Sequence, residues 1–318
     1  MNTSPDISQD KTLLWLMALA CGLCAGANYY CQPLINSIHT YFQVPESQVA
    51  LTVTFAQVSY ALGLLFIVPV GDTVNKTKFI PLLMFLAAFG LFLCAFSVNL
   101  PMLWIGTIMT GLFSVAAQIL IPFATMSVKP EKMGEVVGLL MSGLLVGILL
   151  STSLAGLLSN LYGWQLIYII SGVLMMGLAI ILKKRLPHIP TVRMAYGKIL
   201  HSMLQLIRQE KRLVYRALIG ASAFAAMSVL FSTIAVLLGS SFGLPDVAVG
   251  LVTLIGVFGA LSTKKIGKIA DRGHGKLITW AGLSLLAVSW SFLYFGAQYL
   301  WSYIIGFGLI NLGLASVH

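Results

Sequence analysis

Four amide side chains in apolar surroundings are the residues best suited to contact a polar solute: Asn28, Gln32, Gln118 and Asn311. An amide facing lipid is costly, because hydrocarbon offers no hydrogen-bond partner. Asn28 and Gln32 are four residues apart and would share one helix face. Each amide also has a second interpretation, in which it bonds neighbouring backbone or joins two packed helices.

The four cysteines all lie in apolar segments: Cys21, Cys24, Cys31 and Cys94. Cys21 and Cys24 form a C-x-x-C pair, a spacing found in metal and redox sites. No further cysteine or histidine near the pair completes a ligand set, and free cysteine is a common small hydrophobe in cores. We interpret the cysteines as packing residues and expect no metal, cofactor or disulfide framework.

The acidic residues and histidines form no catalytic cluster. The five histidines fall in loops or at the chain end. None of the nine acids lies in the middle of an apolar segment, which is where a carboxylate that carries protons through a membrane would lie. Glu46 and Asp246, near outer helix ends, are weak alternatives for such a role. No Walker loop for ATP is present. The sequence therefore argues against an enzyme.

The composition indicates that most of this chain is embedded in a membrane. It has 58% hydrophobic and 9% charged residues, whereas soluble domains carry about 25% charged residues. The net charge of +10 could suggest nucleic acid. The positions of the cations decide against that partner, because they follow a membrane topology.

Ten apolar segments are long enough to cross a bilayer core of about 30 Å, which takes about 20 helical residues. They lie at 12–35, 47–69, 79–98, 100–123, 135–158, 164–182, 214–238, 247–263, 277–295 and 299–317. The sequence predicts an all-α membrane protein with ten transmembrane helices, six plus four. Its parts would be an N-terminal six-helix bundle (1–185), a cytoplasmic linker (186–213) and an incomplete C-terminal four-helix bundle (214–318).

All 19 Lys and Arg residues fall before the first span, in alternate loops or, for Arg216, at the adjoining end of the seventh span. By the positive-inside rule these loops and the N-terminus are cytoplasmic, and an even number of spans returns His318 to the same side. We expect a multi-pass protein of the cell inner membrane, monomeric, with the lipid bilayer as its partner. Within the linker, residues 199–208 predict a helix lying on the membrane surface or, alternatively, a partly ordered connection.

Two of the cytoplasmic loops are alike. The loop after the second span has the sequence PVGDTVNKTK (69–78), and the loop after the eighth has GKIADRGHGK (267–276). These loops resemble a motif of the major facilitator superfamily, in which Gly, Ala-Asp-Arg, Gly and a basic residue follow helix two and recur after helix eight. The second copy matches at Gly267, Ala270, Asp271 and Arg272, with Gly275 one place late.

The first copy is degenerate. Gly71, Asp72 and Lys76 match the motif, whereas Thr73 replaces the Arg. Asn75 occupies the usual Gly position, where Asn can adopt a left-handed conformation. The resemblance implies that both loops hold a cytoplasmic gate, with the Asp capping the following helix. Tight turns carrying positive-inside charges are the plainer interpretation.

The resemblance also assigns helices to places. Helices one, four, seven and ten would line the solute pathway, which gives roles to the four amides. Helices two, five and eight would form the seam between the bundles, where small residues allow close approach. The seam candidates are Ser59, Gly63, Gly143, Gly147, Ser151, Gly256 and Ala260. The same small residues also suit ordinary packing inside one bundle.

The resemblance implies a secondary transporter of a small organic solute, in the efflux direction, by alternating access between two bundles. The family continues through helices eleven and twelve, whereas this sequence stops at His318. The alternative is therefore a truncated remnant that inserts but does not transport.

Overall fold

The protein is described here by a computed structural model, which covers residues 6–189, 195–256 and 275–317. Throughout these residues the regular structure is helical and no strand is present. The all-α prediction is confirmed.

The first bundle contains eight α-helices, because two of its spanning segments are broken. They are α1 (Lys11–Gly26), α2 (Ile35–Phe42), α3 (Glu46–Leu62), α4 (Lys76–Ala95), α5 (Leu100–Phe113), α6 (Ala116–Met126), α7 (Met133–Tyr162) and α8 (Gln165–Arg185). A π-helix (Gly63–Ile67) and a 3-10 helix (Val68–Asp72) extend α3.

The linker and the second half follow. Their helices are α9 (Tyr196–Gln209), α10 (Lys211–Phe242), α11 (Asp246–Thr253), α12 (Gly275–Gly296) and α13 (Leu300–Val317). Of the described helices, six are long and apolar enough to cross a membrane, and Lys11–Gly26 and Leu300–Leu314 are shorter apolar helices. The prediction of ten spans is thus confirmed in part.

Two predicted spans, 12–35 and 100–123, are interrupted instead of continuous. After α1 the chain passes through turns to a 3-10 helix, Gln32–Leu34, before α2 begins. Asn28 Nδ2 donates to Cys24 O at 3.3 Å, and Pro33 has no N–H to continue a helical ladder. In the fourth span, Ser114 follows α5 and its Oγ donates to Gly111 O at 3.2 Å. Side chains that bond their own backbone favour such breaks.

The helix ends group into two sides of the bundle. At the basic end, next to Lys11, Lys76 and Lys129, Ile7 N donates to Ser127 O at 2.9 Å. At the far end, next to Phe42 and Tyr162, Gly163 turns the chain with φ of 90°. The buried Trp164 beside it packs on Tyr41 and Tyr168, with ring centroids 5.6 and 5.9 Å apart.

The closest helix pair in the first bundle is α1 with α7. A Cβ at Gly22 would lie 2.6 Å from Gly143 O, and a Cβ at Gly147 would overlap Gly22. A Cβ at Gly26 would lie 2.9 Å from Ser151 Cβ. Glycines here let the two backbones touch, which is how helices associate in lipid.

Candidate functional site

A cluster of aromatic hydroxyls and amides joins the first, second and fourth spans. Gln118 Nε2 on α6 donates to Tyr60 Oη on α3 at 3.2 Å. One turn away on α3, Gln57 is hydrogen-bonded to the buried Tyr29, which follows α1. Tyr60, Gln57 and Gln118 are half-buried, so a solute could reach them. We call Tyr29, Gln57, Tyr60 and Gln118 the polar cluster.

The polar cluster lies next to the face of α3 that is opposite α10 in the second half. A cleft of about 410 Å³ lies between α3 and α10. It is lined by Ser47, Ala50, Leu51, Thr54, Thr233, Val236, Leu237 and Ser240. Gln57 is three residues after Thr54 and therefore lies on the same helix face, one turn nearer the basic end. The cleft and the polar cluster are thus neighbours along α3.

Asn28 and Gln32 lie inside the first bundle and not in this cluster. Asn28 Nδ2 donates to Ser114 Oγ at 2.8 Å, and Gln32 is 2% exposed. Within the described residues, Asn28 Oδ1 and Gln32 Oε1 have no hydrogen-bond partner. A small cavity of about 10 Å³ adjoins Asn28, Thr107 and Thr110. Of the two interpretations, the geometry of Asn28 favours the joining of helices.

The fourth amide, Asn311, lies within the second half. Its Nδ2 donates to Phe307 O at 2.7 Å, and a Cβ at Gly256 would lie 3.1 Å from its Oδ1. Asn311, which is part of α13, therefore packs against the residues that follow α11. All four cysteines are buried and free, as Cys21 and Cys24 illustrate at 0% exposure.

The two halves meet through α7 and α11. Thr152 Oγ1 and Thr253 Oγ1 are 2.8 Å apart, and Ser153 Oγ donates to Gly250 O at 2.8 Å. A Cβ at Gly250 would lie 3.1 Å from Ser153 Cα, so the backbones are nearly in contact. We call Thr152, Ser153, Gly250 and Thr253 the hydroxyl seam.

A second contact between the halves lies at the far end. A Cβ at Gly239, near the end of α10, would lie 2.7 Å from Asn36 Nδ2 on α2. The hydroxyl seam is also in the half of α7 nearer Tyr162, and α11 begins at Asp246 beside the far end. The contacts that join the halves in the described residues are thus concentrated towards this end.

Most predicted seam residues instead pack inside the first bundle. Gly143, Gly147 and Ser151 face α1, as described above, and a Cβ at Gly63 would lie 2.8 Å from Val115 Cγ1. Ser59 Oγ lies against Gly111 on α5. The plainer interpretation of these small residues, ordinary bundle packing, fits their positions.

Gly256 differs from the other seam candidates, because it lies between the halves. A Cβ there would lie 3.1 Å from Leu149 Cδ2 on α7. Ala260 lies outside the described residues.

The loop after the second span differs in detail from expectation. Asp72 does not cap α4. Its Oδ1 pairs with Lys76 Nζ at 3.3 Å, and Asn75 is the cap, its Oδ1 accepting from Thr77 N at 3.0 Å. Asn75 has φ of −64° and ψ of 104°, an extended and not left-handed conformation, as suits an N-cap residue.

Gly71 has a packing role in that loop, since a Cβ there would lie 3.1 Å from Ile119 Cδ1 on α6. In the second copy of the motif, Gly267, Asp271 and Arg272 lie outside the described residues, and Gly275 begins α12.

The chain that leaves the first bundle returns to this loop. Asn75 Nδ2 and His188 Nδ1 are 3.3 Å apart. At the start of α9, Tyr196 Oη donates to Phe66 O at 2.8 Å, in the π-helical extension of α3. The linker is therefore fastened to the basic end of the second span at two points.

Sequence reasoning found Gln118 but missed its partners and the hydroxyl seam. The spacing of Gln57 and Tyr60, three residues apart in an apolar helix, was a usable signal for one polar face. Thr152 and Ser153 carried no comparable signal, because hydroxyls can bond their own helix backbone and so pass as packing residues.

Comparison with known proteins agrees with this architecture. The family model for the Major Facilitator Superfamily matches residues 17–318. The uncharacterized transporter YgaY, from two strains of Escherichia coli, is 40% identical over 318 residues, which is 99% of this chain and 81% of the relative.

Among solved structures, a bacterial homolog to the human lysosomal transporter Spinster, in an inward-facing conformation, superposes with a TM-score of 0.70 at 15% identity. The match covers 96% of this chain and 73% of that one. The nucleoside transporter NupG also has a TM-score of 0.70, at 12% identity, over 96% of this chain and 80% of its own. With its matched family model and its helical fold, the chain belongs to the Major Facilitator Superfamily and is a multi-pass membrane transporter.

Proposed function

We propose that this transporter exports a small organic solute, by alternating access of the bundles 1–185 and 214–318 about the linker 186–213. The observation that carries the proposal is the placement of contacts between the halves. The hydroxyl seam and the contact of Asn36 with Gly239 lie towards the far end. Contacts that close the halves at the far end, with the polar cluster nearer the basic end, suit a solute site that opens to one side of the membrane at a time.

The basic end is proposed to be cytoplasmic, with both termini there and the inner membrane as the location. The support is the distribution of Lys and Arg, which is the usual topology signal. The present conformation would then be open to the cytoplasm, the state named for the bacterial Spinster homolog. An exporter takes up its solute in this state.

The polar cluster suggests the chemistry of the solute. Tyr29, Gln57, Tyr60 and Gln118 supply hydroxyl and amide groups and two aromatic rings, with no ionised side chain among them. Such a set favours an uncharged or zwitterionic molecule with an apolar part, since a net charge would lack a counter-ion there. The protein is proposed to act as a monomer and without a cofactor.

A transport assay on a variant whose two halves can be cross-linked at the hydroxyl seam tests the proposal. The full chain is reconstituted in proteoliposomes and screened by counterflow with labelled amino acids, sugars, nucleosides and organic cations. The variant with Thr152→Cys and Thr253→Cys is then oxidised, because hydroxyl oxygens 2.8 Å apart show that the two side chains point at each other across the seam. Alkylation and intact mass report the bond.

Locking the seam is expected to abolish counterflow, and reduction to restore it, while Ser222→Cys, an exposed position on α10, has no effect. Transport that persists with the disulfide formed would reject the alternating movement at this seam. If no solute exchanges with the wild-type chain, the non-transporting interpretation gains support. Accumulation in everted but not right-side-out vesicles would establish export.

A further inference from the structure

The linker helix α9 separates apolar from polar side chains completely. At about 100° per residue, one side of the helix carries Tyr196 and six aliphatic or thioether side chains. These six are Ile199, Leu200, Met203, Leu204, Leu206 and Ile207. Lys198, His201, Gln205 and Arg208 lie on the other side. A pattern of this kind is typical of helices that lie in the plane of an interface.

The described part of the protein covers the apolar face only in part, with Ile199, Leu200 and Met203 half-buried. No residue of α9 is buried, and Leu204, Leu206 and Ile207 are 59%, 49% and 53% exposed. Burial of such side chains is worth far more than the polar contacts of the same helix. The face therefore requires an occupant.

The position of α9 places that occupant at the membrane surface. Tyr196 Oη bonds Phe66 O at the basic end of the second span. At its other end, α9 is followed directly by α10, which begins at Lys211 and continues into an apolar segment. Both ends of α9 are thus held beside helices that enter the bilayer.

The charge of the segment fits an anionic surface. Lys198 and Arg208 lie on α9, and Lys211 and Arg212 follow it. The helix contains no acidic residue, and Glu210 is the single acid between Tyr196 and Arg212. Basic side chains on the side opposite an apolar face are typical of helices that bind anionic lipid headgroups, whereas a protein groove would need no such cations.

We propose that α9 docks on an anionic phospholipid bilayer, with Leu204, Leu206 and Ile207 among the acyl chains and Lys198 and Arg208 at the headgroup phosphates. The docked helix fixes the linker to the membrane plane beside the loop of Asp72. This inference requires only that the chain spans a membrane, and it is independent of transport and of the solute.

A fluorescence experiment on the full chain in nanodiscs tests this docking. Single labels are placed at Ile207→Cys on the apolar face and Gln205→Cys on the polar face, both at exposed positions. The wild type treated with the same fluorophore measures any background labelling of the four buried native cysteines. The probe is an environment-sensitive fluorophore, and lipids with doxyl-labelled acyl chains are the quencher. Nanodiscs contain phosphatidylcholine alone or phosphatidylcholine mixed with phosphatidylglycerol.

In the anionic nanodiscs we expect a blue-shifted, lipid-quenched label at position 207 and a water-exposed label at position 205. Replacing Lys198 and Arg208 by Gln should lower the docking equilibrium about fivefold for each cation removed. Lys78→Gln, which removes an exposed cation in the first turn of α4, is the matched control and should leave the docking equilibrium unchanged.

Equal exposure of both labels to water in both lipids would overturn the proposal and make α9 a solvated connection. A label at position 207 that is blue-shifted but escapes lipid quenching would also overturn it, because protein would then cover the face. Docking of equal strength in phosphatidylcholine alone would reject the role of the cations.

Discussion

Asn28 and Ser114 connect the breaks of two spanning segments. Asn28 Nδ2 donates to Ser114 Oγ at 2.8 Å, α1 ends just before Asn28, and α5 ends just before Ser114. Each side chain also bonds its own helix, to Cys24 O and Gly111 O. Irregular backbone at membrane depth persists where protein groups satisfy it. The pair thus stabilises two discontinuities at one place.

Loss of this pair should destabilise the first bundle. Asn28→Ala removes the donor to Ser114 and to Cys24, both in buried surroundings, and we expect a loss of about 1–3 kcal/mol in the free energy of unfolding. The measurement is unfolding in mixed detergent micelles. Combined with Ser114→Ala, a double-mutant cycle should give a coupling of about 0.6 kcal/mol, the mean for hydrogen bonds between membrane helices, and at most ~1.7 kcal/mol.

Ser222→Ala is the control for this series, since Ser222 is exposed and bonds only Leu218 O in its own helix. It should change stability by less than about 0.5 kcal/mol. Additive effects of Asn28→Ala and Ser114→Ala would show that the hydrogen bond contributes nothing of its own.

The contact of α1 with α7 provides a second prediction. Gly147→Leu cannot be accommodated, because even a Cβ would overlap Gly22. We expect poor assembly, with a loss of at least about 1–3 kcal/mol from overpacking, seen as aggregation in size-exclusion chromatography. Gly138→Leu in the same helix is the control, since a Cβ there has nothing within 4 Å. Similar elution profiles for both variants would contradict the packing described.

The sequence predicts the helical fold well because lipid imposes one strong rule. Every spanning segment must be long and apolar, and it must satisfy its own backbone. That rule located the segments around Lys76–Ala95 and Gln165–Arg185 within a few residues. The amphipathic pattern at 199–208 indicated a helix as one of two interpretations, since a period of 3.6 is visible without tertiary information, and α9 is present there.

Contacts between helices were harder to predict. The stripe Gly143, Gly147 and Ser151 permits close approach by any helix, so its spacing could not choose between α1 and the seam. The breaks at Asn28 and Ser114 escaped prediction because apolarity continues through them. The hydrogen bond that joins the two breaks links residues 86 apart in sequence, which no local pattern reveals.

The polar cluster provides a third prediction, which tests the proposed solute site. Gln118→Ala removes the donor to Tyr60 Oη at a half-buried position. Solute counterflow should fall about tenfold, the effect of losing ~1.4 kcal/mol of solute binding, while unfolding changes little. Tyr60→Phe keeps the ring, so it separates the hydroxyl from the aromatic contact. Ser222→Ala, at an exposed position on α10 outside the cleft, is the control for general effects of truncation.

Unchanged counterflow in Gln118→Ala would remove this cluster from the solute pathway. A parallel loss of stability and transport would assign it a structural role instead.

The loop at Asp72 provides the last prediction. The Asp72 side chain is 69% exposed, so solvent screens its pair with the buried Lys76. An Asn amide oxygen at position 72 can still accept from Lys76 Nζ, and we expect a change of about 0–1 kcal/mol in the free energy of unfolding. Asp72→Asn should therefore leave the unfolding transition nearly unchanged. If the loop holds a gate, the same variant should change the rate of solute counterflow about fivefold, the effect of ~1 kcal/mol on a barrier. Glu135→Gln is the matched control, because Glu135 forms an exposed pair with Lys132 at 2.9 Å in the next basic loop. Equal effects of both substitutions on transport would show that Asp72 acts only as a surface charge, and the loop would then be a turn without a role in gating.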